Sequence, residues 1–88
     1  MKPIAYSHHA LEQMRDRGAT TEEVEEAVRT GEKIPAKVGR LAFRRNFPFQ
    51  GEWQSSYYET KQVMPIVVEE TNRIIVVTVY VSYFGGRG

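Results

Sequence analysis

The spacing of apolar residues changes at Pro35. Before it they recur at three- and four-residue intervals, and after it they alternate. Pro3 to Tyr6 reads as a short edge strand, since a proline at the start of a strand does little harm to a ladder. Ser7 is placed to cap a first helix, its hydroxyl accepting from a free N–H in the first turn. Tyr6 and Leu11 stand at the hydrophobic-staple positions, Ala10, Leu11 and Met14 form a narrow apolar stripe, and Gly18 ends the helix after Arg17. The second helix is better marked. Thr20 and Glu23 form a T-x-x-E capping box with Ala19 and Val24 as its staple. Val24, Ala27 and Val28 supply the buried stripe, and Gly31 stops the helix.

Beyond Pro35 the alternation predicts strands over Arg40–Phe47, Trp53–Thr60, Gln62–Glu69 and Arg73–Phe84. Pro48 and Gln50-Gly51 separate the first two, and Pro65 argues for an edge or a bulge in the third. The last strand is expected to turn Ile75, Val77, Val79 and Val81 to the core. Ile74, Val76, Thr78, Tyr80 and Ser82 fall on its other face, which becomes polar toward the end. The pattern predicts one α+β domain over residues 1–88: a short N-terminal strand, two helices, then an antiparallel sheet of about four strands, with a flexible tail at 85–88.

Composition narrows the function classes. At 88 residues there is room for one modest core, and 41% hydrophobic with 26% charged residues is ordinary for a folded soluble domain. The absence of cysteine excludes a disulfide scaffold, a thiolate zinc site and a cysteine nucleophile. No run approaches the ~18–20 apolar residues of a membrane helix, and Met-Lys-Pro-Ile is no secretory signal. No membrane partner and a cytoplasmic location are therefore expected. The net charge of +1 conceals a separation: seven acids lie between Glu12 and Glu32, while Lys33, Lys37, Arg40, Arg44 and Arg45 precede Gly51 with no acid among them.

Two features could carry chemistry. His8 and His9 stand in the first turn of the first helix, and His9 points away from the Ala10/Met14 stripe, where a neutral imidazole is fit to take a proton. Adjacent side chains diverge by about 100° on a helix, so the pair is ill suited to share one metal ion. No metal or cofactor is expected. The second feature is the basic segment, with Arg40, Arg44 and Asn46 on one strand face, Arg45 on the other, and Trp53, Tyr57, Tyr58, Tyr80 and Tyr83 on later strands. Arginines that pair with phosphate and aromatics that stack on bases suit single-stranded RNA, although Trp and Tyr are also good strand residues in any sheet.

The run Tyr6-Ser7-His8-His9-Ala10-Leu11-Glu12-Gln13-Met14-Arg15-Asp16-Arg17-Gly18 resembles the opening of a bacterial domain-of-unknown-function family with a Y-S-x-H-A-L-x-R-M-x-x-R-G pattern. An acidic helix and a V-T-V-Y strand, here Val77-Thr78-Val79-Tyr80, complete the likeness over about residues 4–83. That family is grouped with RelE/BrnT-like toxins, small α+β domains whose better-studied members are metal-independent ribonucleases. The resemblance implies a RelE-like fold and a catalytic set of His9, Arg17, Thr78 and Tyr80, while Arg40, Arg44 and Arg45 of the basic segment are the residues expected to bind RNA phosphate. His9 would take the 2′-OH proton, Arg17 would stabilise the charged transition state, and Tyr80 with Thr78 would orient the phosphate or protonate the leaving oxygen. Gln13 departs from the pattern, standing where many members have arginine. The alternative is a non-catalytic module of the same fold that binds RNA or an antitoxin-like protein partner.

Overall fold

The computed structural model describes residues 2–86. Strand β1 (Ile4–Tyr6) leads into helices α1 (His8–Arg17) and α2 (Thr21–Thr30), followed by β2 (Glu32–Ile34), β3 (Leu41–Trp53), β4 (Ser56–Glu69) and β5 (Ile74–Phe84). The five strands form one sheet in the order β1-β5-β4-β3-β2. β1 runs parallel to β5 and the remaining neighbours are antiparallel, so the sheet is mixed rather than wholly antiparallel. No helix among the described residues is long and apolar enough to cross a membrane.

Local signals set both helices. The Ser7 hydroxyl accepts from the Ala10 N–H at 3.0 Å, and Gly18, left-handed at φ 82°, closes α1. Thr20 and Glu23 form the reciprocal capping box of α2, with bonds of 3.0 and 3.1 Å. Both helices lie on one face of the sheet. Ala10 and Met14 of α1, Val24 and Val28 of α2, and Val63, Val67, Val76 and Val79 of β4 and β5 make one buried cluster. Each fully buried valine contributes about 1.5–2 kcal/mol of apolar transfer, so this layer is the main source of cohesion. Leu11 is not part of it and is exposed on the outer side of α1. Tyr6 packs at the border, its hydroxyl donating to Glu25 at 3.3 Å; burial, then the Glu25 charge, push its phenol up to about 12.

Besides β2, which the alternation does not mark, the strands depart from the sequence pattern in four places. β3 continues through Pro48 and Gly51, absorbing the irregularity as a bulge at Gln50 (φ 47°). The β3–β4 hairpin turns at Gln54-Ser55, two residues with φ of 50° and 70°, so the expected strands 53–60 and 62–69 are one strand, β4. Pro65 lies in that central strand, fully buried and not at an edge. Its missing N–H falls where the β3–β4 ladder is interrupted between Ala42↔Ile66 and Arg45↔Val63. β5 carries a bulge between its pairings with Ile66 and Val67, which reverses the alternation. Val76 and Val79 are both buried in the helix-side core, whereas Ile75 and Val77 are only partly buried. The Ser7 hydroxyl, which caps α1, also donates to the Val77 carbonyl at 3.2 Å and anchors the bulge. At the chain's end, the Gly85 carbonyl accepts from the Glu59 N–H at 3.1 Å; residues 87 and 88 of the expected tail lie outside the described residues.

A buried charge joins the layers. Lys61 of β4 is 5% exposed, and its ammonium donates to the Gly18 carbonyl and, at 2.7 Å, to Glu23. Above it, Tyr83 stacks on Trp53 with centroids 4.9 Å apart and meets the edge of Phe49 at 5.0 Å. The Tyr83 hydroxyl donates to the Arg17 carbonyl at 2.8 Å, and burial, followed by the Glu23 charge, raises its pKa. The far end of the long hairpin is thus folded back onto the α1–α2 turn.

Candidate functional site

The sheet face opposite the helices is bare, and the segment between β2 and β3 folds over one end of it. Lys37 and Arg40 are the two ends of a turn closed by the Arg40 N–H bonding to the Lys37 carbonyl at 2.9 Å. Gly39 takes the left-handed conformation (φ 83°) that such a turn demands at its third position. The turn sets the two cations side by side, with Val38 fully exposed at the tip. Under them is a recess of about 250 Å³. Its floor is Ala42, Met64 and Ile66, one wall is Ile34-Pro35-Ala36, and Thr78 and Tyr80 of β5 complete it.

Three of the expected residues therefore meet in one place: Arg40, Thr78 and Tyr80. Arg17 touches the group from the side, its guanidinium 5.6 Å from the centre of the Tyr80 ring. It is also committed structurally, donating to the Val79 carbonyl at 2.9 Å. Arg44 shares the bare face but holds Glu32 across the β2–β3 pair at 2.6 Å. Arg45 points to the helix side, where it bonds Glu26 at 2.9 Å and the Thr30 hydroxyl, so it does not join Arg40 and Arg44. His9 is exposed and forms no hydrogen bond or ion pair with any described residue; His8 lies 3.4 Å from Glu12. His9 stands eight residues before Arg17 on α1, about 12 Å along the axis and about 80° around it, and no contact joins it to Thr78 or Tyr80.

Folding pairs only part of the acidic block with the basic one. Glu23, Glu26 and Glu32 pair with Lys61, Arg45 and Arg44. Lys33, Lys37 and Arg40 hold no carboxylate among the described residues. Lys37 is the site residue that sequence reasoning passed over. It lies in the acid-free segment, but only the turn shows that it stands next to Arg40.

Gln13 has a definite place. Val79 sits on β5 beyond the reach of β1, and α1 supplies both of its outward partners. Its N–H donates to Gln13 Oε1 at 2.9 Å, while Arg17 bonds its carbonyl. An arginine at 13 would offer no acceptor to that N–H. Gln13→Ala leaves a buried donor unpaired, which costs about 1–3 kcal/mol. Faster hydrogen exchange at the Val79 amide is the expected sign, and Gln13→Glu, which keeps an acceptor, should retain the protection. Unchanged exchange in Gln13→Ala would show that the bond contributes nothing.

No curated protein and no solved structure gives a significant match to the chain. Residues 6–81, nearly the whole of it, match the family model described as a domain of unknown function, DUF4258, and the chain belongs to that family.

Proposed function

We propose that this is a cytoplasmic RNA-acting domain, akin to RelE/BrnT-like toxins, that takes single-stranded RNA on the bare face of its sheet. The observation that carries the proposal is the pair of uncompensated cations, Lys37 and Arg40, above a recess with an apolar floor and the Thr78 and Tyr80 hydroxyls. Cations bind phosphate, while apolar and aromatic surface takes the bases. Tyr80 is 48% exposed and presents its ring to an incoming base.

The test is binding of a labelled single-stranded RNA across a salt series. Affinity should fall with salt, with a log–log slope of about −1.4 if Lys37 and Arg40 each neutralise one phosphate of a single strand. Tyr80→Ala should weaken binding by roughly 1–3 kcal/mol, the usual contribution of one stacked base. An absence of binding even at low salt would reject the proposal.

Cleavage is the second reading, favoured by the Arg17 guanidinium standing 5.6 Å from the Tyr80 ring centre. His9 would take the ribose 2′-OH proton as the 2′-oxygen attacks phosphorus. The P–O5′ bond breaks, Tyr80 returns a proton to the leaving oxygen, and a 2′,3′-cyclic phosphate remains. Arg17 stabilises the charge that gathers on the phosphate oxygens. The step needs no metal, so it should persist in chelator, and His9→Ala should slow it by ~10²–10⁴-fold. Equal rates for both proteins would leave binding alone.

A further inference from the structure

Resting on the RNA reading above, we propose that the recess beneath the Lys37–Arg40 turn is an end pocket, holding the terminal nucleotide of a strand by its phosphomonoester. Charge supports this first. The recess is lined by two cations and no carboxylate, and both cations lack an acidic partner among the described residues. A terminal phosphomonoester carries about −1.5 to −2 near neutral pH, against a single charge on an internal phosphodiester, and so matches the pair better. Arg40 suits two oxygens of one phosphate through its planar fork, while Lys37 adds a point charge beside it.

Size and shape point the same way. About 250 Å³ lies under the ~300–1,000 Å³ of sites that enclose drug-sized ligands, so the recess is sized for a terminal phosphate and part of its nucleoside. Ala42 is 2% exposed on a face that no helix covers, because residues 35–40 lie across that end of it. A strand passing along the sheet meets this segment as a barrier, whereas a strand end enters beneath it. There Met64 and Ile66 offer an apolar floor to the base, and the Thr78 and Tyr80 hydroxyls face the ribose or the phosphate. Arg17 lies over the Tyr80 ring and narrows the approach from the α1 side.

The experiment compares short single-stranded RNAs of one sequence ending in 5′-hydroxyl or 5′-phosphate, and in 3′-hydroxyl or 3′-phosphate, each labelled at the opposite end. Fluorescence anisotropy gives the ratio of affinities within each pair. The phosphorylated member of one pair should bind ~10-fold tighter or better, and the pair that shows it identifies the end received. Arg40→Ala and Lys37→Ala, both at exposed positions, should bring that ratio close to one while the proteins keep their melting temperatures. Equal binding of phosphate and hydroxyl ends by the wild type, with clear RNA affinity, overturns the end pocket and leaves the RNA face standing. Failure of every oligomer to bind overturns both.

Discussion

Replacing Glu23 with alanine should lower the stability of the fold by about 3 kcal/mol or more, the largest effect expected of any side-chain truncation outside the valine core. Glu23 Oε1 accepts from the Lys61 ammonium at 2.7 Å and from the Thr20 N–H at 3.0 Å, so one carboxylate serves a buried cation and a helix cap together. The Lys61 side chain is only 6% exposed, and without Glu23 its remaining polar partner is the Gly18 carbonyl. A charge left in such surroundings is costly because water cannot replace the lost partner. At ~4–8 °C per kcal/mol for a domain of this size, the melting temperature should fall by roughly 12–24 °C. The double variant Glu23→Ala/Lys61→Met removes the stranded charge and should recover most of the loss, save for the cap. Equal melts for the single and double variants would show that the ion pair is not what matters.

Gly31→Ala should be nearly as damaging, for a steric reason. Gly31 has an ordinary backbone, with φ −76° and ψ 167°, so conformational freedom is not at issue. A Cβ there would stand 2.4 Å from the Ala27 carbonyl oxygen and 2.8 Å from that of Arg44, both backbone atoms of packed elements. Neither can move without shifting α2 against β3, and such overpacking costs about 1–3 kcal/mol or more. Gly51→Ala is the control: its added carbon would meet Phe49 at an ordinary 3.6 Å. Urea denaturation of the two variants should separate them clearly, and similar midpoints would exclude the close approach as the reason for glycine at 31.

Helix ends were legible in the sequence because capping is local. Ser7, the Thr20/Glu23 box and Gly18 act within four residues of where they stand, and each does what its type suggests. The strands were harder for equally concrete reasons. Gln54 and Ser55 adopt left-handed conformations without the Asn-Gly signal that usually marks such a turn, so the breaks were read at Gly51 and near Thr60 instead. β2, only three residues with two charges, carries no alternation to detect. The β5 bulge reverses which valines face the core, and it is held by Ser7, some 70 residues away in the chain. The candidate site divides in the same manner. Arg40, Thr78 and Tyr80 were identifiable by residue type, strand face or family likeness, and the alternation already set Arg45 on the face opposite Arg40 and Arg44; what it could not show is the partner there, Glu26 on α2. The charge segregation so plain along the chain is resolved only in part: among the described residues Arg44 and Arg45 find acids on neighbouring elements, while Lys33, Lys37 and Arg40 do not.

The parallel pairing of β1 with β5 also dictates the order in which the molecule can be completed. Ile4 is matched with Ile74 and Tyr6 with Val76, while α1 takes its edge partners at Val77 and Val79. Strand β1 and helix α1 therefore wait for β5, made some 70 residues later, which slots between β1 and β4. Contacts this distant are entropically slow to close. Until β5 is in place, Ala10 and Met14 have no strand to cover them, and transiently exposed apolar surface of this kind favours aggregation.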